Sequence, residues 1–312
     1  MSVPKRATDV PSWNGILPPS MKLPFIDTPD SVTYNAMKLA ELTPDPRMRE
    51  ILVGLVRHMH DFTRETSITT DEWLKGIKFM AAFANQRQPP HIEYMLLLDV
   101  FGVSTLVDTI NNPPVKNATA SDVIGPFFMP DAPDKENKDT IVDDTNGIGK
   151  AEYLYFEGRI LTTDGQPIPN VSVEVWEVDE EGLYDLQYES RDAPNGRGRF
   201  RSRADGTFEF RGVVPSAYPI PLSPPLESLM NAWNRHNMRA AHVHFWVKAP
   251  GFRELITQLY PDNNEWVTTD GVFGGKRSLV INLKRVDDKS ESEKRGIPGA
   301  RRSTMLSSTS CC

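Results

Sequence analysis

The sequence predicts an α+β protein: an N-terminal helical unit followed by an antiparallel β-sandwich with a candidate metal site. Three observations lead there. As far as residue 111, apolar residues recur with the 3.6-residue period of amphipathic helices. From Tyr153 onward the period falls to two, and short apolar runs are separated by turn signals with no long helix between them. Within that β region stands Arg239-Ala240-Ala241-His242-Val243-His244-Phe245-Trp246, two histidines two residues apart in an apolar, β-branched and aromatic run.

Taken in order, residues 1–30 are proline-punctuated and aperiodic, and read as an arm. Residues 31–111 form the helical unit. Tyr34, Met37, Leu39 and Leu42 mark its first helix, and Pro46 suits the first turn of a second that carries Ile51, Leu52, Leu55, Val56, Met59 and Phe62. Asp71 and Glu72 favour the start of a third helix with Trp73, Leu74, Ile77 and Met80 on its apolar face. A fourth spans Ile92 to Phe101, with Gly102 to end it, and a short helix follows over Ser104 to Ile110. Residues 112–150 are a polar linker interrupted by the apolar, turn-forming run Ser121 to Phe128, a candidate pocket-lining loop. Residues 151–286 form the sandwich, with strands over Tyr153–Leu161, Val171–Val178, Thr207–Val214, the histidine run, Glu254–Leu259 and Ser278–Leu283. Arg197, Arg199, Arg201 and Arg203 alternate on a solvated strand face or turn. Residues 287–312 are charged and then serine-rich, a composition that predicts disorder.

The totals narrow the function. A net charge of -7 argues against a nucleic-acid surface, which needs a basic excess. No apolar run reaches membrane-spanning length, and no apolar region follows Met1-Ser2-Val3-Pro4-Lys5-Arg6 to make a secretory signal. The two cysteines, Cys311 and Cys312, stand together at the end, so no core disulfide is expected and a reducing cytoplasm suits the chain.

On a strand, side chains alternate, so His242 and His244 share one face and Val243 and Phe245 the other. Two imidazoles side by side suit zinc, copper or iron; two partly buried histidines with local hydrogen bonds are the plainer reading. His58 and His60 have the same spacing in a helical pattern, where residues two apart diverge by about 200°, and read as surface or packing residues. With cysteine excluded, the remaining ligand types are carboxylate, imidazole and tyrosinate. Tyr184 and Tyr218 each sit where a strand pattern gives way to a loop, and a phenolate is a hard donor that favours ferric iron.

Together with these residues, Gly182-Leu183-Tyr184, Asp205-Gly206-Thr207-Phe208, Val214-Pro215-Ser216-Ala217-Tyr218-Pro219-Ile220-Pro221, Arg239 to Phe245, Thr257-Gln258-Leu259 and Ile124-Gly125-Pro126-Phe127 form an ordered series that, with the helical unit, covers roughly residues 30–285. The series resembles the intradiol ring-cleavage dioxygenases, in the branch of catechol and hydroxyquinol 1,2-dioxygenases. The resemblance implies one non-haem Fe(III) per subunit, with Tyr184 and His242 equatorial and Tyr218 and His244 axial. It implies that both atoms of O2 enter a catechol-type ring. Tyr218 would act as ligand and base in turn, Arg239 would stabilise anionic character on the ring, and Gln258 would help position oxygen intermediates. Leu96, Asp99, Ile124, Gly125, Ile220, Pro221 and Arg239 would line the substrate pocket, with Asp99 placed to accept a hydrogen bond from an extra ring hydroxyl. The helical unit would form a homodimer around a hydrophobic tunnel able to hold lipid.

Two departures accompany the resemblance. The family commonly has proline after the arginine, where this chain has Ala240, a change expected to loosen the approach to the ligand strand. Leu222 to Trp233 is more hydrophobic than the usual polar, glycine-containing loop. Two other classes compete: a metal-free β-sandwich binding module with a helical dimerisation segment, and a zinc hydrolase on His242 and His244. For the hydrolase the sequence offers no HExxH and no third histidine to complete such a site.

Overall fold

The computed structural model describes residues 22–83, 86, 90–130, 132–143, 151–179, 181–189, 193–286 and 288–297, and the backbone of 303–311. Residues 1–21 of the expected arm and linker residues 131 and 144–150 lie outside the described residues. The chain divides into two compact units, Met1–Lys78 and Phe79–Cys312.

The first unit holds α1 (Pro29–Ala40), α2 (Pro46–Thr66) and the start of α3 (Thr70–Phe83). Thr28 and Asp45 cap α1 and α2 by accepting from the Ser31 and Met48 amides at 3.1 and 2.7 Å. His60 Nδ1 lies 2.8 Å from Thr33 Oγ1, a packing role. The apolar stripe of α2 (Ile51, Leu55, Met59 and Phe62) is exposed in the single chain.

The helical segment expected over 31–111 does not stay in one unit. Helices α4 (Pro90–Val100) and α5 (Val103–Asn111) belong to the second, separated by Gly102 in a left-handed conformation. Composition explains the division. Leu96, Leu97 and Val100 are buried in a cluster with Phe83, Ile220, Leu226, Met230 and Val272, so α4 completes the β unit's core.

The sandwich runs β1 (Tyr153–Leu161), β2 (Ser172–Trp176), β3 (Arg197–Arg201), β4 (Thr207–Val213), β5 (Tyr218–Pro219), α6 (Pro224–Trp233), β6 (Met238–Arg239), β7 (Val243–Lys248), β8 (Leu255–Pro261), β9 (Val280–Ile281), β10 (Lys284–Val286), α7 (Lys289–Lys294) and β11 (Ser303–Cys311). One sheet has the order β10-β11-β1-β4, the other β3-β2-β7-β8-β9, and β5 pairs with β6 as a separate ribbon. Pairing is antiparallel except for β1–β11 and β8–β9. The alternating residues Val173, Val175, Phe245 and Val247 face Phe156, Phe208 and Phe210 between the sheets; Phe156 lies 4.9 Å from Phe210 and 5.0 Å from Phe245, ring centre to ring centre. The other face of β2 and β7 is therefore free for the site.

Three expectations are corrected. Leu222 to Trp233 is largely helix α6 rather than loop, because Pro224 opens it and Leu226 and Met230, four apart, bury one face. The tail is not structureless: α7 and β11 lie in it, with β11 pairing along the otherwise open edge of β1, whose backbone groups offer a ready template. The arginine row is not uniformly solvated. Arg197 is buried against Asp185, bonding through Nε to Oδ2 at 2.7 Å and through Nη2 to Oδ1.

Candidate metal centre

The site lies on the outer face of the β2–β7–β8 sheet. His244 leaves β7 on that face, and His242 immediately precedes the strand. Their Nε2 atoms are 3.0 Å apart. Tyr184 is placed by the turn at Gly182, whose φ of 78° is left-handed, and its hydroxyl lies 3.3 Å from His242 Nε2. Tyr218 comes from β5, and its hydroxyl lies 3.2 Å from that of Tyr184. All four side chains are buried, and they converge on one point from three separate parts of the chain. The walls are aromatic: Trp176 on β2 stacks on His244 with ring centres 4.6 Å apart, and Phe127 stacks on Tyr184 at 4.7 Å.

The three contacts at 3.0–3.3 Å, Tyr218 to Tyr184, Tyr184 to His242 and His242 to His244, fit edges of a coordination polyhedron. For metal–ligand bonds of about 2.0–2.1 Å, ligands at right angles lie about 2.9 Å apart and tetrahedral neighbours about 3.4 Å apart. His242 Nδ1 donates to the Ala240 carbonyl at 2.6 Å, which leaves the Nε2 lone pair free. His244 Nδ1 has no hydrogen-bond partner, so no second contact selects its tautomer. Burial, reinforced by Arg239, pushes His242 down to about 3; burial and then His242 push His244 well below the usual range. Both are therefore neutral, as ligands must be. Burial raises both tyrosines, Tyr184 strongly, with Arg239 opposing. A cation among these four donors is what would reverse that and favour the phenolates. No group of three or more His, Cys, Asp or Glu among the described residues is placed to hold a metal, so the zinc hydrolase arrangement does not arise there.

Around this centre the expected residues assemble unevenly. Leu96, Asp99, Gly125, Ile220, Pro221 and Arg239 line one narrow cleft with Tyr218. Ile124 does not line it; it borders a neighbouring cavity of about 450 Å³ that also touches Asp99 and Gly125. Burial raises the Asp99 carboxyl, with Ser104 opposing. Gly125, at φ 73°, brings the loop within 3.5 Å of His244 Cε1, measured from where a Cβ would stand. Arg239 is buried and faces the cleft. Its Nε donates to Asp270 at 3.1 and 3.2 Å, and its Nη2 donates to Gln258 Oε1 at 2.8 Å.

Asp270 is one residue that sequence reasoning missed. It accepts from Arg239 and from the amides of Ala240, Val272 and Gly274. Burial alone would raise its carboxyl, but Arg239, the Ala240 and Val272 amides and His242 outweigh it and hold it below the usual carboxylate range. The sequence offered a faint signal, an Asp-Gly turn at 270–271. The Ala240 departure also changes meaning. Its amide donates to Asp270 Oδ2 at 2.8 Å, a bond proline cannot make, so this approach is tied rather than loosened.

Comparison with known proteins shows the family. Residues 123–297 match the family model Dioxygenase, and residues 45–119 match Catechol dioxygenase N terminus. An intradiol ring-cleavage dioxygenase of Aspergillus niger is 38% identical over 268 residues, covering 85% of this chain and 80% of that protein. A hydroxyquinol 1,2-dioxygenase of Rhodococcus opacus is 40% identical over 239 residues, covering 76% and 78%. The crystal structure of a hydroxyquinol 1,2-dioxygenase from Pseudomonas putida matches with a TM-score of 0.80 at 33% identity, over 91% of this chain and 97% of the other. A fold, an aromatic-walled site and two family models thus coincide, and the chain belongs to the intradiol ring-cleavage dioxygenases.

Proposed function

We propose that this intradiol dioxygenase binds one ferric ion per subunit through Tyr184, Tyr218, His242 and His244, and cleaves hydroxyquinol or catechol between the two hydroxylated carbons. The observation that carries the reading is a buried series of three contacts at 3.0–3.3 Å, Tyr218 to Tyr184, Tyr184 to His242 and His242 to His244, which gathers two phenols and two neutral imidazoles in one site. Bound Fe(III) would supply the Lewis acidity that holds the diol as its dianion and draws electron density from the ring. Tyr218 is the residue that takes a diol proton at its phenolic oxygen, because it borders the substrate cleft. Arg239, fixed by Asp270 and Gln258, presents a guanidinium where negative charge develops on the ring. Leu96, Ile220, Pro221 and Phe127 exclude water, and Asp99 faces the same cleft as a partner for a third ring hydroxyl. The carbon–carbon bond breaks and both atoms of one O2 enter the product, catechol giving cis,cis-muconate and hydroxyquinol giving maleylacetate.

The exposed stripe of Ile51, Leu55, Met59 and Phe62 supports a homodimer through the helical unit, with an apolar tunnel that can hold lipid. Among the described residues no helix is long and apolar enough to cross a membrane, and the lack of cysteine in the core suits a cytoplasmic role in aromatic catabolism. The test is turnover of each diol under ¹⁸O2. Two labelled oxygens in a ring-opened diacid support the reading; failure to consume O2 with either diol, in iron-loaded protein, contradicts it.

A further inference from the structure

One chain of hydrogen bonds behind the site has more acceptors than protons. The Tyr260 hydroxyl lies 2.8 Å from Asp122 Oδ2 and 2.8 Å from Gln258 Oε1. A phenol has one hydrogen, so it cannot donate to both. The Gln258 amide is not free to turn. As it stands, Oε1 accepts from Arg239 Nη2 at 2.8 Å and Nε2 donates to the Val123 carbonyl at 2.7 Å. Turned over, its NH2 would face the guanidinium and its oxygen would face a carbonyl, two repulsive contacts at once. If Asp122 were ionised and took the Tyr260 hydrogen, two oxygens without a proton between them would meet at 2.8 Å in a buried setting. One assignment satisfies every contact: Asp122 carries the missing proton.

We infer that Asp122 works as a neutral carboxylic acid and is a positioning residue for the proposed reaction, donating to Tyr260, which donates to Gln258 and so holds Arg239 in place. The order then runs from Asp122 Oδ2–H to the Tyr260 oxygen, and from Tyr260 O–H to Gln258 Oε1, where Arg239 Nη2–H arrives from the other side. Asp122 Oδ1 accepts from the Val123 amide at 2.8 Å, as a neutral acid's carbonyl oxygen can. Arg239 is thereby pinned at Nε by Asp270 and at Nη2 by Gln258. The chain has no slack: a side chain at Gly274 would stand 2.5 Å from the Tyr260 oxygen.

The surroundings agree. Asp122 is buried, and burial raises its carboxyl against the opposing pull of the Val123 amide, Tyr260, Arg239 and Lys276. Lys276 is engaged elsewhere, with Nζ 2.7 Å from Asp108 Oδ2 and 2.7 Å from the Ser121 carbonyl.

Infrared difference spectroscopy of wild type against Asp122→Asn tests the assignment without any turnover. The wild type should show a protonated-carboxyl carbonyl band that the variant lacks and that shifts in D2O; the other buried acids cancel in the difference. Asparagine reproduces the neutral acid, with Oδ1 accepting and Nδ2 donating. Asp122→Asn should therefore keep kcat close to wild type. Asp122→Ala, which leaves Tyr260 without its donor, should lower kcat about tenfold at similar iron content, the scale of one buried hydrogen bond. Absence of the band, or an asparagine variant as impaired as the alanine one, overturns the inference. Because the inference rests on the proposed reaction only for its consequence, a protein with the band that turns over neither diol would contradict that reaction and leave the proton assignment standing.

Discussion

Tyr218 and Arg239 are directly opposite one another in the β5–β6 ribbon. Two strands of two residues each thus set the proposed base beside the proposed anion stabiliser, and both border the same cleft. Arg239 also opposes the effect of burial on the Tyr218 phenol, so in the proposed reaction a single guanidinium would serve both the resting site and the developing charge.

Arg239→Ala tests the second of these roles. It leaves all four donor residues in place, so iron content should persist. The loss of a fixed donor at developing charge should lower kcat by about 10²–10³-fold. Metal analysis and steady-state kinetics on the same sample check this; turnover within a fewfold of wild type would remove Arg239 from the chemistry.

Ala240→Pro restores the family's usual residue and removes an amide that Asp270 accepts at 2.8 Å. The expected outcome is lower stability by about 1.5–3 kcal/mol, the scale of a hydrogen bond to a charged group. A denaturant midpoint equal to wild type would mean that Asp270 does not need this bond.

Glu177 should give the fold a distinctive pH dependence. It is fully buried, Oε2 has no partner, and burial pushes the carboxyl up to about 8 against the hydrogen bond from the Val213 amide. The folded value thus lies above the ordinary 4.5. The folded state binds more protons in that window, so this group's contribution is fully present below 4.5 and is lost as pH rises to about 8. The slope approaches about 1.4 kcal/mol per pH unit at most. Urea unfolding across the window should show this fall in wild type and a flatter profile in Glu177→Gln; identical profiles would contradict it.

Asp99 bears on substrate choice. It is 3% exposed and faces the cleft beside Tyr218 and Arg239. Asp99→Ala should lower kcat/KM for hydroxyquinol about tenfold more than for catechol, the worth of one hydrogen bond to the extra hydroxyl. Equal losses on both diols would make Asp99 a support for the helix end instead.

The strands were legible because period two is enforced locally: Val243 and Phe245 take the buried face of β7, which sends His244 to the other, whereas Tyr184 and Tyr218 stood out only as tyrosines where strand patterns give way to loops. Asp270 was not legible, since its importance comes from four donors meeting it from Arg239, Ala240, Val272 and Gly274. Asp122 and Tyr260 escaped for the same reason, being 138 residues apart in sequence and 2.8 Å apart in space. Helix α6 was misread because its proline-rich start, Pro219 to Pro225, looks like a loop until Leu226 and Met230 find a core to bury in. The division of the helical segment depended on what α4 packs against, which periodicity does not state.

The central claim is ferric iron held by two tyrosinates, and a visible spectrum before and after anaerobic addition of catechol tests it most directly. Purified wild type should be wine-red from tyrosinate-to-Fe(III) charge transfer, and the band should move to longer wavelength as catechol binds. Tyr218→Phe should weaken or shift the resting band and slow turnover by about 10²–10⁴-fold. A protein that stays colourless after ferric reconstitution, or a Tyr218→Phe spectrum and rate equal to wild type, would contradict the account.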